Sequence, residues 1–132
     1  YQGFWNWASF STRLSDGRTL GVNFGAGWTD NTGSTENALC IDGRLIKLSE
    51  DVIFTYSTQN FKTPWKIQTA ETTRVALTFT PFFERIAKTD MAIIRSEVHQ
   101  MIGHFEGTIS EGGEVVQVNQ AVGWAEDHHA RW

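Results

Sequence analysis

The stretch that decides the fold is NALCIDGRLIKL, residues 37–48. Two short apolar runs flank the dipeptide Asp42-Gly43. Asp and Gly tolerate the positive φ angles of a type I′ turn, so this dipeptide between apolar runs is the strongest short-range hairpin signal. The sequence therefore predicts an antiparallel hairpin with strands at 37–41 and 44–48.

The rest of the chain repeats this pattern of short strands and turns. Further strands are predicted at 4–10, 19–25, 52–57, 65–69, 74–81, 92–98, 101–110 and 114–122. Glu111-Gly112-Gly113 predicts a second hairpin, and Pro81 predicts an irregular crossing at 80–85. We therefore expect an all-β, antiparallel barrel or strongly curved sandwich of about nine or ten strands.

Composition favours a single β domain over residues 1–132 and excludes several classes of protein. Hydrophobic residues make up 40% and charged residues 20% of the chain, and the net charge is −4 with no basic stripe. We expect no nucleic-acid binding and no membrane span, because no apolar run approaches about 18 residues. A single cysteine, Cys40, favours a reducing, cytoplasmic location. Because the chain begins at Tyr1 inside a patterned aromatic segment, we expect it to be part of a longer protein.

The densest cluster of chemical groups is the C-terminal segment GWAEDHHARW, residues 123–132. If this segment is a strand, alternate side chains share a face. Glu126 and His128 then lie together between tryptophans on the inward face, where such a pair can act as a general acid or base or simply satisfy two buried groups. Asp127 is the third catalytic candidate and lies on the other face, where it can form an ion pair with Arg131. His129 also points away from His128, so we expect no metal site.

Six tryptophans are an unusually high number for a chain of 132 residues. In a barrel, inward-facing indoles can line a cavity for an apolar ligand, or they can fill the interior. Glu36-Asn37 immediately precedes an apolar strand, where binding groups often sit, although a solvated strand end gives the same pattern.

Several motifs occur in an order that resembles the bacterial family called domain of unknown function 2804. They are WNWA at 5–8, GVNF at 21–24, TENA at 35–38, QMIGHFEG at 100–107 and EDHHARW at 126–132. The resemblance covers nearly the whole chain. It implies the C-terminal part of a longer two-domain chain, with the N-terminal domain as a partner. It also implies a lipocalin-like (calycin-type) barrel, through a distant similarity to carotenoid hydratases.

The family's motif positions and the tryptophans together give the expected ligand-binding residues. These are Trp5, Trp7, Asn23, Trp28, Glu36, Asn37, Trp124, Arg131 and Trp132. The first functional hypothesis is binding of an apolar, lipid-like or isoprenoid-like small molecule, without a cofactor. The alternatives are an enzyme that uses a carboxylic acid to hydrate or isomerise an unsaturated apolar substrate, and a structural domain that packs against the N-terminal domain.

Overall fold

The computed structural model describes residues 2–27 and 35–131, and over these ranges the chain forms nine β-strands. The strands are β1 (Gln2–Arg13), β2 (Thr19–Ala26), β3 (Ala38–Ile41), β4 (Arg44–Lys47), β5 (Val52–Thr55), β6 (Trp65–Thr69), β7 (Val75–Met91), β8 (Ile94–Glu111) and β9 (Glu114–Arg131). The predicted all-β, antiparallel fold is confirmed. Within the same ranges there is no helix long and apolar enough to cross a membrane.

All nine strands belong to one antiparallel sheet in the order β4-β3-β2-β1-β9-β8-β7-β6-β5. The sheet curls strongly enough to bring β5 into contact with β2. The edge strands β4 and β5 are not hydrogen-bonded to each other in the part of the chain that the structure describes. The architecture is therefore a strongly curved open sheet.

The predicted turn at Asp42-Gly43 is confirmed, with φ angles of 51° and 84° that fit a type I′ hairpin. The strands predicted at 92–98 and 101–110 are instead one continuous strand, β8. The predicted crossing at 80–85 is wrong, because this segment lies inside β7. The irregularity appears there as a β-bulge between Pro81 and Phe83. Proline has no backbone N–H and cannot donate a hydrogen bond to the neighbouring strand.

One face of the curved sheet, which we call the core face, carries the hydrophobic core of the described residues. Its largest fully buried side chains include Trp65, Phe24, Phe79 and Phe105. The ring centroids of Phe79 and Phe105 are 4.6 Å apart, and Trp65 meets Phe79 edge-on at 5.9 Å. The core is therefore filled by protein side chains. We call the opposite side of the sheet the outer face.

A second bulge, in β9, changes which residues reach the core. Val118 is buried on the core face, and simple alternation would next place Gln120 there. Gln120 instead has a φ of 53° and is exposed, and the next core residue is Ala121. The register confirms one extra residue in β9, since Gly107 pairs with Val118 and Phe105 pairs with Ala121. Beyond this bulge the odd-numbered residues of β9 face the core.

Candidate functional site

The end of β9 carries two adjacent carboxyl groups on opposite faces of the sheet. Asp127 lies opposite Asn6 of β1 on the core face and is fully buried. Glu126 and His128 lie on the outer face. This reverses the prediction that Glu126 and His128 point into the interior and Asp127 points away. The cause is the bulge at Gln120, which shifts the alternation by one residue.

Asp127 is held by a hydrogen-bond network at the end of the filled core. The Tyr56 hydroxyl donates to Oδ2 of Asp127 at 2.5 Å, and Nδ2 of Asn6 donates to the Tyr56 oxygen at 2.8 Å. The Tyr56 ring stacks on Trp65 with centroids 4.0 Å apart. Burial, reinforced by the hydrogen bond to Asp127, raises the pKa of Tyr56 well above its usual value. Tyr56 therefore stays protonated and acts as a donor.

Two histidines lie beside these hydrogen-bonded groups. His99 of β8 is the register partner of Asp127, stacks on Phe61 at 4.1 Å and lies with Nε2 2.7 Å from Oε1 of Glu97. The hydrogen bond from His99 lowers the pKa of Glu97. His129 brings Nε2 to 3.0 Å from Oδ1 of Asp127, a close contact whose direction does not make a hydrogen bond. We call Asn6, Tyr56, His99, Asp127 and His129 the core-face network.

A groove of about 540 Å³ opens beside His129, where the long strands run past the core. It is lined by Gly3, Phe4, Lys88, Thr89, Asp90, Arg95, Ser96, Glu97, His129, Ala130 and Arg131. Gly3, Ala130 and Ser96 are register partners on β1, β9 and β8, and the small side chains of Ala130 and Ser96 belong to the outer face. Their backbones therefore form the floor, and larger core-face side chains form the walls.

The walls of the groove carry charges of both signs. Arg95 pairs with Asp90 at 3.1 Å, and Lys88 lies 3.6 Å from Glu97. Arg131 stands directly opposite Arg95 on the neighbouring strand. Among the described residues Arg131 makes no ion pair, so the predicted pair with Asp127 is not formed.

Glu126 and His128 form a second network on the outer face. Oε1 of Glu126 lies 2.5 Å from Nε2 of His128, and Gln100 donates to Oε2 at 2.7 Å. His128 stacks on Trp5 with centroids 4.9 Å apart. Burial by itself raises the pKa of Glu126, but the hydrogen bonds from His128 and Gln100 outweigh it, and the pKa lies below its usual value. Glu126 is therefore a carboxylate at neutral pH.

Other predicted ligand-binding residues also lie away from the core face. Trp7 and Trp124 meet edge-on at 5.5 Å on the outer face, and Nε1 of Trp7 donates to Oδ1 of Asn23 at 2.7 Å. Asn37 is buried, but its side chain bonds the backbone of Gly25 and Glu50. These contacts give Asn37 a structural role in holding β2 to the segment that leads into β5.

The remaining predicted residues add little to the site. Glu36 is exposed, and its backbone oxygen accepts a hydrogen bond from Asn23. Trp28 and Trp132 lie outside the described residues. Across residues 2–27 and 35–131, no three His, Cys, Asp or Glu side chains lie close enough to hold a metal ion.

Sequence reasoning missed Tyr56, His99 and the role of His129. Asn6 did carry a signal, because it is a polar residue on the otherwise apolar face of Phe4 and Ala8. A polar residue at a core position needs a buried partner. The identity of that partner, Tyr56, has no local signal because it is 50 residues away in sequence.

The chain belongs to the family described as domain of unknown function (DUF2804), whose sequence model matches residues 1–132. No curated protein matches it in sequence. Among solved structures, a candidate AttH protein from Nitrosomonas europaea is similar in fold, with a TM-score of 0.56 and 13% sequence identity. The similarity covers 99% of this chain and 51% of that protein, so this chain spans about half of its length.

Proposed function

We propose, from the geometry of this domain, that it binds a small molecule with an apolar body in the groove beside the core-face network. The family to which the chain belongs is described as a domain of unknown function, so the proposal rests on the structure. The observation that carries the proposal is the groove itself. Its volume of about 540 Å³ lies within the range of roughly 300–1,000 Å³ that is typical of ligand sites.

The surroundings of the groove support this proposal over a cavity lined by tryptophans, which is one of the two interpretations that the sequence leaves open. Among the described residues the core is occupied by Trp65 and its neighbours, which favours a ligand site outside it. At the groove, the Phe4 ring is 45% exposed and packs at 4.8 Å against His129. Phe4 therefore offers an apolar surface, and His129 connects the groove to the buried Asp127.

The test uses two neutral apolar probes, farnesol and lauryl alcohol, with amide chemical shifts as the readout. We expect both to shift the amides of Gly3, Ser96 and Ala130, which lie along the floor of the groove. Phe4→Ser should weaken this binding. Phe83→Ser is the matched control, since Phe83 is a comparably exposed ring on the outer face. Shifts confined to the outer face, or no shifts at all, would overturn the proposal.

A second candidate role is favoured by the outer face. Trp5, Trp7 and Trp124 lie there and not in the core, and Phe83 is 56% exposed on the same face. In a single-layer sheet the outward side is commonly polar, so an aromatic outer face is typical of a docking surface. We propose that a second β domain of a longer chain covers it. The similar structure, which is about twice as long as this chain, supports such a partner.

The enzymatic alternative is less well supported, because Glu126, the predicted proton donor, lies on the outer face and not in the interior. Glu126 has a lowered pKa and is ionised at neutral pH, which favours a structural hydrogen-bonded pair with His128 over acid catalysis. Asp127 is the remaining carboxyl candidate, but it is fully buried beneath Tyr56. His128 lies on the other face and cannot relay a proton to it. We therefore place binding ahead of catalysis.

A further inference from the structure

We propose that the ligand of the groove carries a carboxylate, and that the guanidinium groups of Arg131 and Arg95 hold it. This inference rests on the proposed binding function and names the chemical class of the ligand. It starts from the placement of the two arginines. Arg131 of β9 and Arg95 of β8 are direct register partners and both line the groove.

Two like charges at directly opposed positions of an antiparallel pair destabilise the sheet. The repulsion between Arg95 and Arg131 is only partly offset, because Asp90 pairs with Arg95 at 3.1 Å and no acidic side chain among the described residues pairs with Arg131. An anion placed between the two guanidinium groups would remove this repulsion. The arrangement therefore favours a bound anion over a neutral ligand.

The charge count of the groove favours a single negative charge. Of its lysine and arginine side chains, Lys88 is matched by Glu97 and Arg95 by Asp90, which leaves the charge of Arg131. A planar guanidinium presents a fork of donors that matches a carboxylate in a bidentate arrangement. A doubly charged phosphate would leave one charge uncompensated beside Asp90 and Glu97. We therefore expect a carboxylate, with the apolar body of the ligand along Phe4.

The experiment compares laurate with lauryl alcohol, which share a chain and differ in the head group, by titration calorimetry on the purified protein. Hydrogen bonds to charged groups are strong enough that laurate should bind about tenfold or more tightly than the alcohol. Arg131→Ala should remove most of this difference by weakening laurate alone, because Arg95 remains in the groove. Arg131→Lys, which keeps the charge but loses the fork, should retain only part of it.

Arg44→Ala is the matched control, because Arg44 is an exposed arginine on the edge strand β4 and does not line the groove. It should leave the affinity for laurate unchanged. Equal affinity for laurate and lauryl alcohol, with no effect of Arg131→Ala, would overturn the carboxylate inference and leave the binding function intact. If neither compound binds, the binding function itself fails and the inference fails with it.

Discussion

Replacing Tyr56 with phenylalanine tests whether the core-face network stabilises the fold around the buried carboxyl group of Asp127. The substitution keeps the ring that stacks on Trp65 and removes only the hydroxyl group. That hydroxyl donates to Asp127 at 2.5 Å and accepts from Asn6 at 2.8 Å. After the substitution, Asp127 stays fully buried without its hydrogen-bond donor.

The expected cost follows from these two hydrogen bonds. A hydrogen bond to a charged group contributes about 1.5–3 kcal/mol and a neutral one about 1 kcal/mol. Because Tyr56 is only half-buried and water can partly replace its hydroxyl, we expect Tyr56→Phe to lower the free energy of unfolding by roughly 3 kcal/mol. For a domain of this size, that lowers the melting temperature by about 10 °C.

The assay is urea unfolding of the four proteins of a double-mutant cycle that combines Tyr56→Phe with Asp127→Asn. In the Asp127→Asn background no carboxylate is left unpaired, so losing the hydroxyl should cost only about 1 kcal/mol. The expected coupling energy is therefore roughly 2 kcal/mol. A cost of Tyr56→Phe below about 1 kcal/mol, or additive effects of the two substitutions, would refute the argument.

Two further predictions concern the outer face. Because the pKa of Glu126 is below its usual value of 4.5 in the folded protein, its contribution to stability is complete above that pH and is lost as the pH falls through the folded-state pKa. Glu126→Gln should therefore flatten the acid limb of a plot of urea midpoint against pH, and an unchanged limb would contradict this. Phe83→Ser should change the unfolding free energy of residues 1–132 by less than about 0.5 kcal/mol, because the ring is exposed, but should cost more than about 1 kcal/mol in a longer chain where a second β domain covers this face. Equal effects in the two chains would argue against docking there.

The parts of the fold that depend on neighbouring residues could be predicted from the sequence. The turn at Asp42-Gly43 follows from the φ angles that these two residues tolerate. The continuity of β8 could not be predicted in this way, because His99 and Gln100 interrupt its apolar pattern. Each of these polar side chains has a partner on its own face: His99 bonds Glu97, and Gln100 bonds Glu126. Glu97 lies two residues from His99 on the same strand, whereas Glu126 becomes visible as the partner of Gln100 only once the register of β8 and β9 is known.

The candidate site could be predicted only in part for the same reason. The alternation of Glu126, Asp127 and His128 was predicted, and the contact between Glu126 and His128 is present at 2.5 Å. The face on which each residue lies could not be read from the segment itself. It depends on Gln120, a residue other than glycine with a positive φ, and nothing in its local sequence marks this conformation.

The C-terminal segment could turn either of its two faces toward the core. The extra residue at the Gln120 bulge determines which face does so. Without that residue, Glu126 and His128 would meet the interior, and Asp127 with Arg131 would turn outward, although their own sequence would be unchanged. A relative that lacked one residue at this point, yet kept every motif, would carry a different site. Alignments of this family should therefore be judged by the spacing between Val118 and Asp127 as much as by the identity of the polar residues.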